Sequence, residues 1–177
     1  MDEKMLHDLS LKAAQVRSLA MDAVFSAASG HIGGSLSVAD ILTVLYFHTM
    51  KVDPKAPQAP DRDRLVLSKG HTTPALYATL ALKGYFPVEE LKLFRSVEGH
   101  YSGHPDMVHV PGVDMSTGSL GQGISAAVGM ALAGQMDRKD HRIYAVLGDG
   151  EVEEGQVWEA AMAAAKYHLD NLCAVVD

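Results

Sequence analysis

The last third of the chain constrains its architecture more tightly than any other segment. Residues 142–147 form a short apolar strand pattern, Gly148-Asp149-Gly150 ends it, residues 152–168 are an alanine-rich helical stretch, and residues 172–176 are a second apolar run. Strand, helix and strand with short loops form a βαβ unit, whose strands are parallel and whose crossover is right-handed. The fold class is therefore α/β, a parallel sheet flanked by helices. Ligands of open α/β sheets bind beyond the carboxyl ends of the strands. Asp149 and Asp177 stand at two such ends, and His71, just after the strand-like run 64–68, stands at a third.

The rest of the chain supplies the helices. Leu6, Leu9, Ala13, Val16, Ala20, Val24 and Ala27 recur at helical spacing and predict a long first helix. Ser29-Gly30 is its stop signal, and His31-Ile32-Gly33-Gly34 reads as a loop. A second helix is predicted from Ser37, as its cap, to about His48. Pro54, Pro57 and Pro60 mark an irregular connection, followed by helical patterns at 74–82, 88–94 and 119–135. Residues 98–118, rich in Gly, Pro and His, are too long for a simple connector, and such loops are usually functional or disordered. Neither repeats nor an internal boundary is visible, so residues 1–177 read as one domain.

Charge narrows the ligand. A net charge of −7 without a basic block argues against nucleic acid. A phosphate ligand must then be held by backbone N–H groups, by a metal ion, or by charges from elsewhere. No run of about 18 apolar residues stands out as a membrane span, and the charged start lacks the apolar core of a signal peptide. The single cysteine, Cys173, lies in an apolar run and reads as a small buried hydrophobe. Together these features lead us to expect a cytoplasmic protein.

Three motifs carry chemistry. In Leu147-Gly148-Asp149-Gly150-Glu151 the glycines let a large anion approach, and the N-terminus of the following helix favours phosphate oxygens. A lone carboxylate there would repel phosphate unless a cation such as Mg²⁺ lies between; Asp149 serves equally well as a helix cap. In Ser116-Thr117-Gly118-Ser119-Leu120-Gly121-Gln122-Gly123 glycines again precede a helix, which suits backbone contact with a ligand or simply a tight helix start. Finally, His31, His71 and His104 each follow a glycine, and together suggest a polar pocket able to handle hydroxyls and an alkoxide. Each alone suits an ordinary surface or packing role.

In this order, Ser29-Gly30-His31, the run from Arg62 to His71, Gly103-His104-Pro105, Thr117 to Ile124 and Gly148-Asp149-Gly150 resemble the N-terminal portion of transketolases over nearly the whole chain. The resemblance implies a thiamine-diphosphate-binding fold. It implies that Asp149 binds a divalent cation (Mg²⁺, or Ca²⁺ or Mn²⁺) and that Gly150 lies against the diphosphate. Gly118, Ser119 and Leu120 would contact the cofactor through main-chain groups, with His71 on its diphosphate side. His31 and His104 would contact the substrate. Glu154 resembles a family acid near the subunit interface, and also fits a plain helix N-terminal charge. The implied reaction moves a two-carbon ketol unit from a ketose phosphate to an aldose phosphate, with the cofactor as electron sink. Two family parts are not in these residues: a metal-binding Asn after the last strand, and a pyrimidine-binding domain with its activating Glu. We therefore expect a fragment truncated at its C-terminus, or a subunit that needs a partner chain and works in a homo- or hetero-oligomer. The alternatives are a related enzyme such as deoxyxylulose-phosphate synthase, or a non-catalytic cofactor-binding or assembly subunit.

Overall fold

The computed structural model describes residues 2–177. Three strands, β1 (Arg64–Leu67), β2 (Ile143–Leu147) and β3 (Leu172–Val176), pair in the order β1-β2-β3, all parallel. Val66 lies opposite Ala145, which lies opposite Ala174. The period-two alternation of strand side chains divides the core in two. Leu65, Leu67, Tyr144 and Val146 pack with residues from α1 (Glu3–Ala27), α2 (Ile32–Val44) and α3 (Thr73–Lys83). Val66, Ile143, Ala145 and Leu147 pack with residues from α4 (Gly123–Met136) and α5 (Gly155–Lys166). The predicted α/β class is what the chain adopts.

Several local expectations need correction. The first helix ends just before Gly30 is reached, with Ala28 itself left-handed at φ 47° while its N–H and that of Ser29 bond back to Phe25 and Val24. His31 to Gly34 is no loop: His31 is the N-cap and the helix starts at Ile32, without a side-chain cap. Glycine is needed inside that first turn, because a Cβ on Gly34 would lie 2.8 Å from Thr72 Cγ2. Ser37 caps nothing; its hydroxyl donates to Asp177 Oδ1 at 2.8 Å. Similarly, residues 119–122 form turns, and α4 begins only at Gly123.

The segment Ile32–Thr49, α2 with its terminal π-turn, is long and apolar enough to cross a membrane, contrary to the expectation that no such run exists. It packs as a core helix, with Val38, Ala39 and Leu42 fully buried and Asp40 paired to Arg17 of α1. Cys173 is exposed, not buried. β3 pairs only with β2, and its apolar residues Cys173, Ala174 and Val176 are left open to solvent.

Candidate functional site

The three strand tips meet at one edge of the sheet. Beyond β1 come Ser68, Lys69 and a 3₁₀ turn, Gly70–Thr72, that carries His71. Gly148, Asp149 and a second 3₁₀ turn, Gly150–Glu153, follow β2, and Asp177 follows β3. These tips, with Gly33, Gly34 and Ser37 of α2 and Leu120 from the loop before α4, enclose a polar hollow of about 380 Å³. A larger groove of about 720 Å³ runs between α5 and β3, but its aliphatic lining offers almost nothing to a charged ligand.

Asp149 is exposed on this hollow, and its Oδ1 accepts from the Gly150 N–H at 2.8 Å. Asp149 thus caps the turn and still presents its carboxylate to the hollow. The helix expected to aim its N-terminus here does not begin at the tip: the chain first makes the 3₁₀ turn, breaks at Glu154, and enters α5 at Gly155. Any N–H groups offered to an anion are therefore those of the turn. A Cβ on Gly150 or Gly33 would meet nothing within 4 Å, so the backbone there is open to a ligand.

Lys69 is a site residue that the sequence reading misses. It is 3% exposed and forms an ion pair with Asp177, whose Oδ1 also accepts from Ser37. Burial pushes the Asp177 carboxyl up, but the hydrogen bonds from Lys69 and Ser37 outweigh it and hold the group below its ordinary value. This chain therefore brings its own cation to the hollow, despite its acidity. The adjacency of Lys69 to a strand end was the available signal.

The histidines converge. The rings of His31 and His71 meet edge to face at 5.1 Å. A Cβ on Gly118 would lie 3.4 Å from the His104 ring, so His104 rests on the loop before α4. Thr73 and Tyr77 of α3 hold its loop by donating to Gly103 O at 2.8 Å and His104 O at 3.0 Å. Desolvation lowers the basicity of His71, helped by His31 and Lys69. It does the same for His104, helped by Arg95 and His31. Both imidazoles are thereby biased toward the neutral form, which both donates and accepts.

Gly118 and Ser119 line a separate hollow of about 430 Å³, while Leu120 reaches the first one. Gly70 passes so close to Thr117 that a Cβ would lie 2.7 Å from its hydroxyl and 3.0 Å from its carbonyl carbon. Glu154 stands apart: it is exposed, precedes α5 and does not line the hollow, although it packs against Gly121.

The donors fit a cation carrying a diphosphate. Asp149 carries hard oxygen donors, Gly150 offers open backbone, and Lys69 offers an ammonium. Among the described residues no cluster of three His, Cys, Asp or Glu could hold a metal alone. A cation at Asp149 would then take its remaining ligands from phosphate oxygens, water, or further polypeptide.

A helix-flanked parallel sheet with a carboxylate-glycine tip, a buried lysine and converging histidines defines an α/β domain of the diphosphate-cofactor class. Residues 9–177 match the family described as transketolase, thiamine diphosphate binding domain, and the chain belongs to that family. It is 54% identical over 170 residues to the 6-deoxy-6-sulfo-D-fructose transketolase subunit SqwG of Clostridium sp. (strain MSTE9), covering 96% of this chain and 62% of that protein. Over 169 residues it is 46% identical to an apulose-4-phosphate transketolase subunit of Phocaeicola vulgatus, covering 96% of this chain and 60% of that protein. The transketolase structure from Campylobacter jejuni superimposes with a TM-score of 0.91 at 39% identity, covering all of this chain and 28% of that one. The chain thus spans about three-fifths of the two subunit relatives it matches.

Proposed function

We propose that this chain is the diphosphate-binding part of a transketolase and is active only together with a complementary subunit or domain. The observation that carries the reading is the meeting of Asp149, Gly150, Lys69, His71 and Asp177 around one hollow, with His31 and His104 beside it. Asp149 would hold Mg²⁺ or another divalent cation, and Gly150 and His71 would lie against the diphosphate. The main chain at Gly118, Ser119 and Leu120 would support the body of the cofactor. Bound thiamine diphosphate would supply the electron sink for breaking a carbon–carbon bond of a ketose. His31, against the His71 ring, and His104, partly desolvated on the loop before α4, would orient substrate hydroxyls and move a proton at the carbonyl oxygen. Glu154, exposed and away from the hollow, is better suited to contact a second subunit than substrate.

The substrates we propose are an anionic ketose donor and a phosphorylated aldose acceptor, in carbohydrate metabolism of the pentose phosphate kind. The names of the two subunit relatives specify a sulfo-sugar and a sugar phosphate. Both of those relatives are named as subunits, which supports a partner chain supplying the pyrimidine-binding Glu. The test is ketol transfer from xylulose 5-phosphate, with thiamine diphosphate and Mg²⁺, with and without the complementary chain. Turnover only in the mixture is expected. Appreciable turnover by these residues alone, or none with the complementary chain present, would refute the proposal.

A further inference from the structure

Glu151 is 2% exposed, two residues beyond the cation-ready carboxylate, and is held by hydrogen bonds instead of an ion pair. Its Oε1 accepts from Ser68 Oγ at 2.5 Å and from the Gly121 N–H at 2.9 Å. Oε2 accepts from the Gly148 N–H at 2.9 Å. The three donors belong to three different loops. Ser68 leads into Lys69 and His71, Gly121 closes the Gly118-Ser119-Leu120 loop, and Gly148 leads into Asp149 and Gly150. One buried carboxylate thus ties together three of the segments that border the hollow; the start of α2 and the Asp177 tip are held separately, by the Ser37 and Lys69 bonds to Asp177.

The packing at this junction leaves no slack. A Cβ on Gly123 would sit 2.5 Å from Ser68 Oγ, and Thr117 Oγ1 donates to Leu67 O at 2.6 Å. The loops touch, so a shift in one is passed to the next. A neutral isostere cannot replace the carboxylate. A glutamine has one accepting oxygen, and its NH₂ would face either the Gly148 N–H or the Gly121 N–H, donor against donor. Burying a carboxyl group is costly unless its hydrogen bonds are met, and here they are met only while the three loops keep their relative positions.

We propose that Glu151 is a positioning residue for cation and cofactor binding, acting through the three loops and not on the reacting atoms. The inference rests on the cofactor reading above. The test uses the complete assembled enzyme and measures thiamine diphosphate affinity by calorimetry in Mg²⁺, alongside kcat at saturating cofactor and apo-protein melting. For Glu151→Gln, the cofactor Kd should rise roughly 10- to 100-fold, as for other groups that orient ligands without touching them. kcat at saturation should stay within about threefold, because the reacting groups are intact once the site is filled. Ser68→Ala removes one donor and keeps the other two, so it should raise Kd by about three- to tenfold; it serves if Glu151→Gln does not fold. A lowered melting temperature with unchanged Kd would assign Glu151 to stability alone and overturn the proposal. So would a fall in kcat at saturation without a change in Kd. Wild-type enzyme that binds no thiamine diphosphate would instead bring down the cofactor reading, and this inference with it.

Discussion

Replacing Lys69 by Met in the complete protein tests whether the hollow carries a buried charge pair. The Lys69 and Asp177 side chains are 4% and 13% exposed, so the substitution strands a carboxylate that retains only the Ser37 hydroxyl. Breaking one side of a buried pair costs about 3–5 kcal/mol. The residual hydrogen bond and partial exposure place this case near the lower end, about 3 kcal/mol. For a domain of this size that lowers the melting temperature by roughly 6–12 °C. Lys69→Met/Asp177→Asn should recover most of the loss, since no lone charge remains. The two single states also differ in the sign of their pH dependence. In the wild type Asp177 is held below 3.8, so its stabilisation is present above that value and lost as pH falls through the lowered one. In Lys69→Met the stranded carboxyl titrates above its unfolded value, so the penalty shrinks on acidification. Urea unfolding of wild type, Lys69→Met, Asp177→Asn and the double variant at pH 7, pH 5 and pH 3 reads both effects, the wild-type loss appearing only below 3.8. A loss under about 1 kcal/mol for Lys69→Met, or no recovery in the double variant, would refute the reasoning.

Asp149→Ala should abolish Mg²⁺-dependent cofactor binding while leaving melting within a few degrees, because Asp149 is exposed and its one local bond is to Gly150; unchanged binding by calorimetry would reject the metal assignment. Gly70→Ala places a Cβ 3.0 Å from the Thr117 carbonyl carbon, so the loop carrying Gly118 must retreat and cofactor affinity should fall roughly tenfold or more, read by titration. Burial holds His71 and His104 below 6.5, so their stabilising contribution is present above that pH and declines as pH falls through the lowered values. Apo-protein unfolding free energy should therefore drop from about pH 6.5 downward, less steeply in His71→Gln. A diphosphate beside His71 favours the imidazolium, so calorimetry in buffers of different ionisation enthalpy should show proton uptake on cofactor binding.

The sheet and the three tips that line the hollow were legible because short apolar runs followed closely by glycine or aspartate carry their own punctuation. Asp149, Asp177 and His71 fall where that logic puts them. What escaped depends on contacts distant in sequence. Gly33-Gly34 looks like a loop but lies in the first turn of α2, where Gly34 is tucked against Thr72 and His71, a contact no local pattern announces. The alanine-rich stretch after Gly150 gives no sign that a 3₁₀ turn precedes the helix. Glu151 has the composition of an ordinary first-turn acid, and its inward course is set by Ser68, Gly121 and Gly148, up to 83 residues away. Cys173 reads as an interior residue because its run is apolar. Apolarity does not reveal which face of a strand receives cover.

On this reading Asp149 would anchor a cation carrying a diphosphate at the tip of β2. Anomalous diffraction from crystals of the assembled protein soaked with Mn²⁺ and thiamine diphosphate tests it directly. A manganese peak is expected at the Asp149 carboxylate, with diphosphate oxygens among its ligands and lying against Gly150. A peak elsewhere, or a diphosphate bound away from this tip, would contradict it.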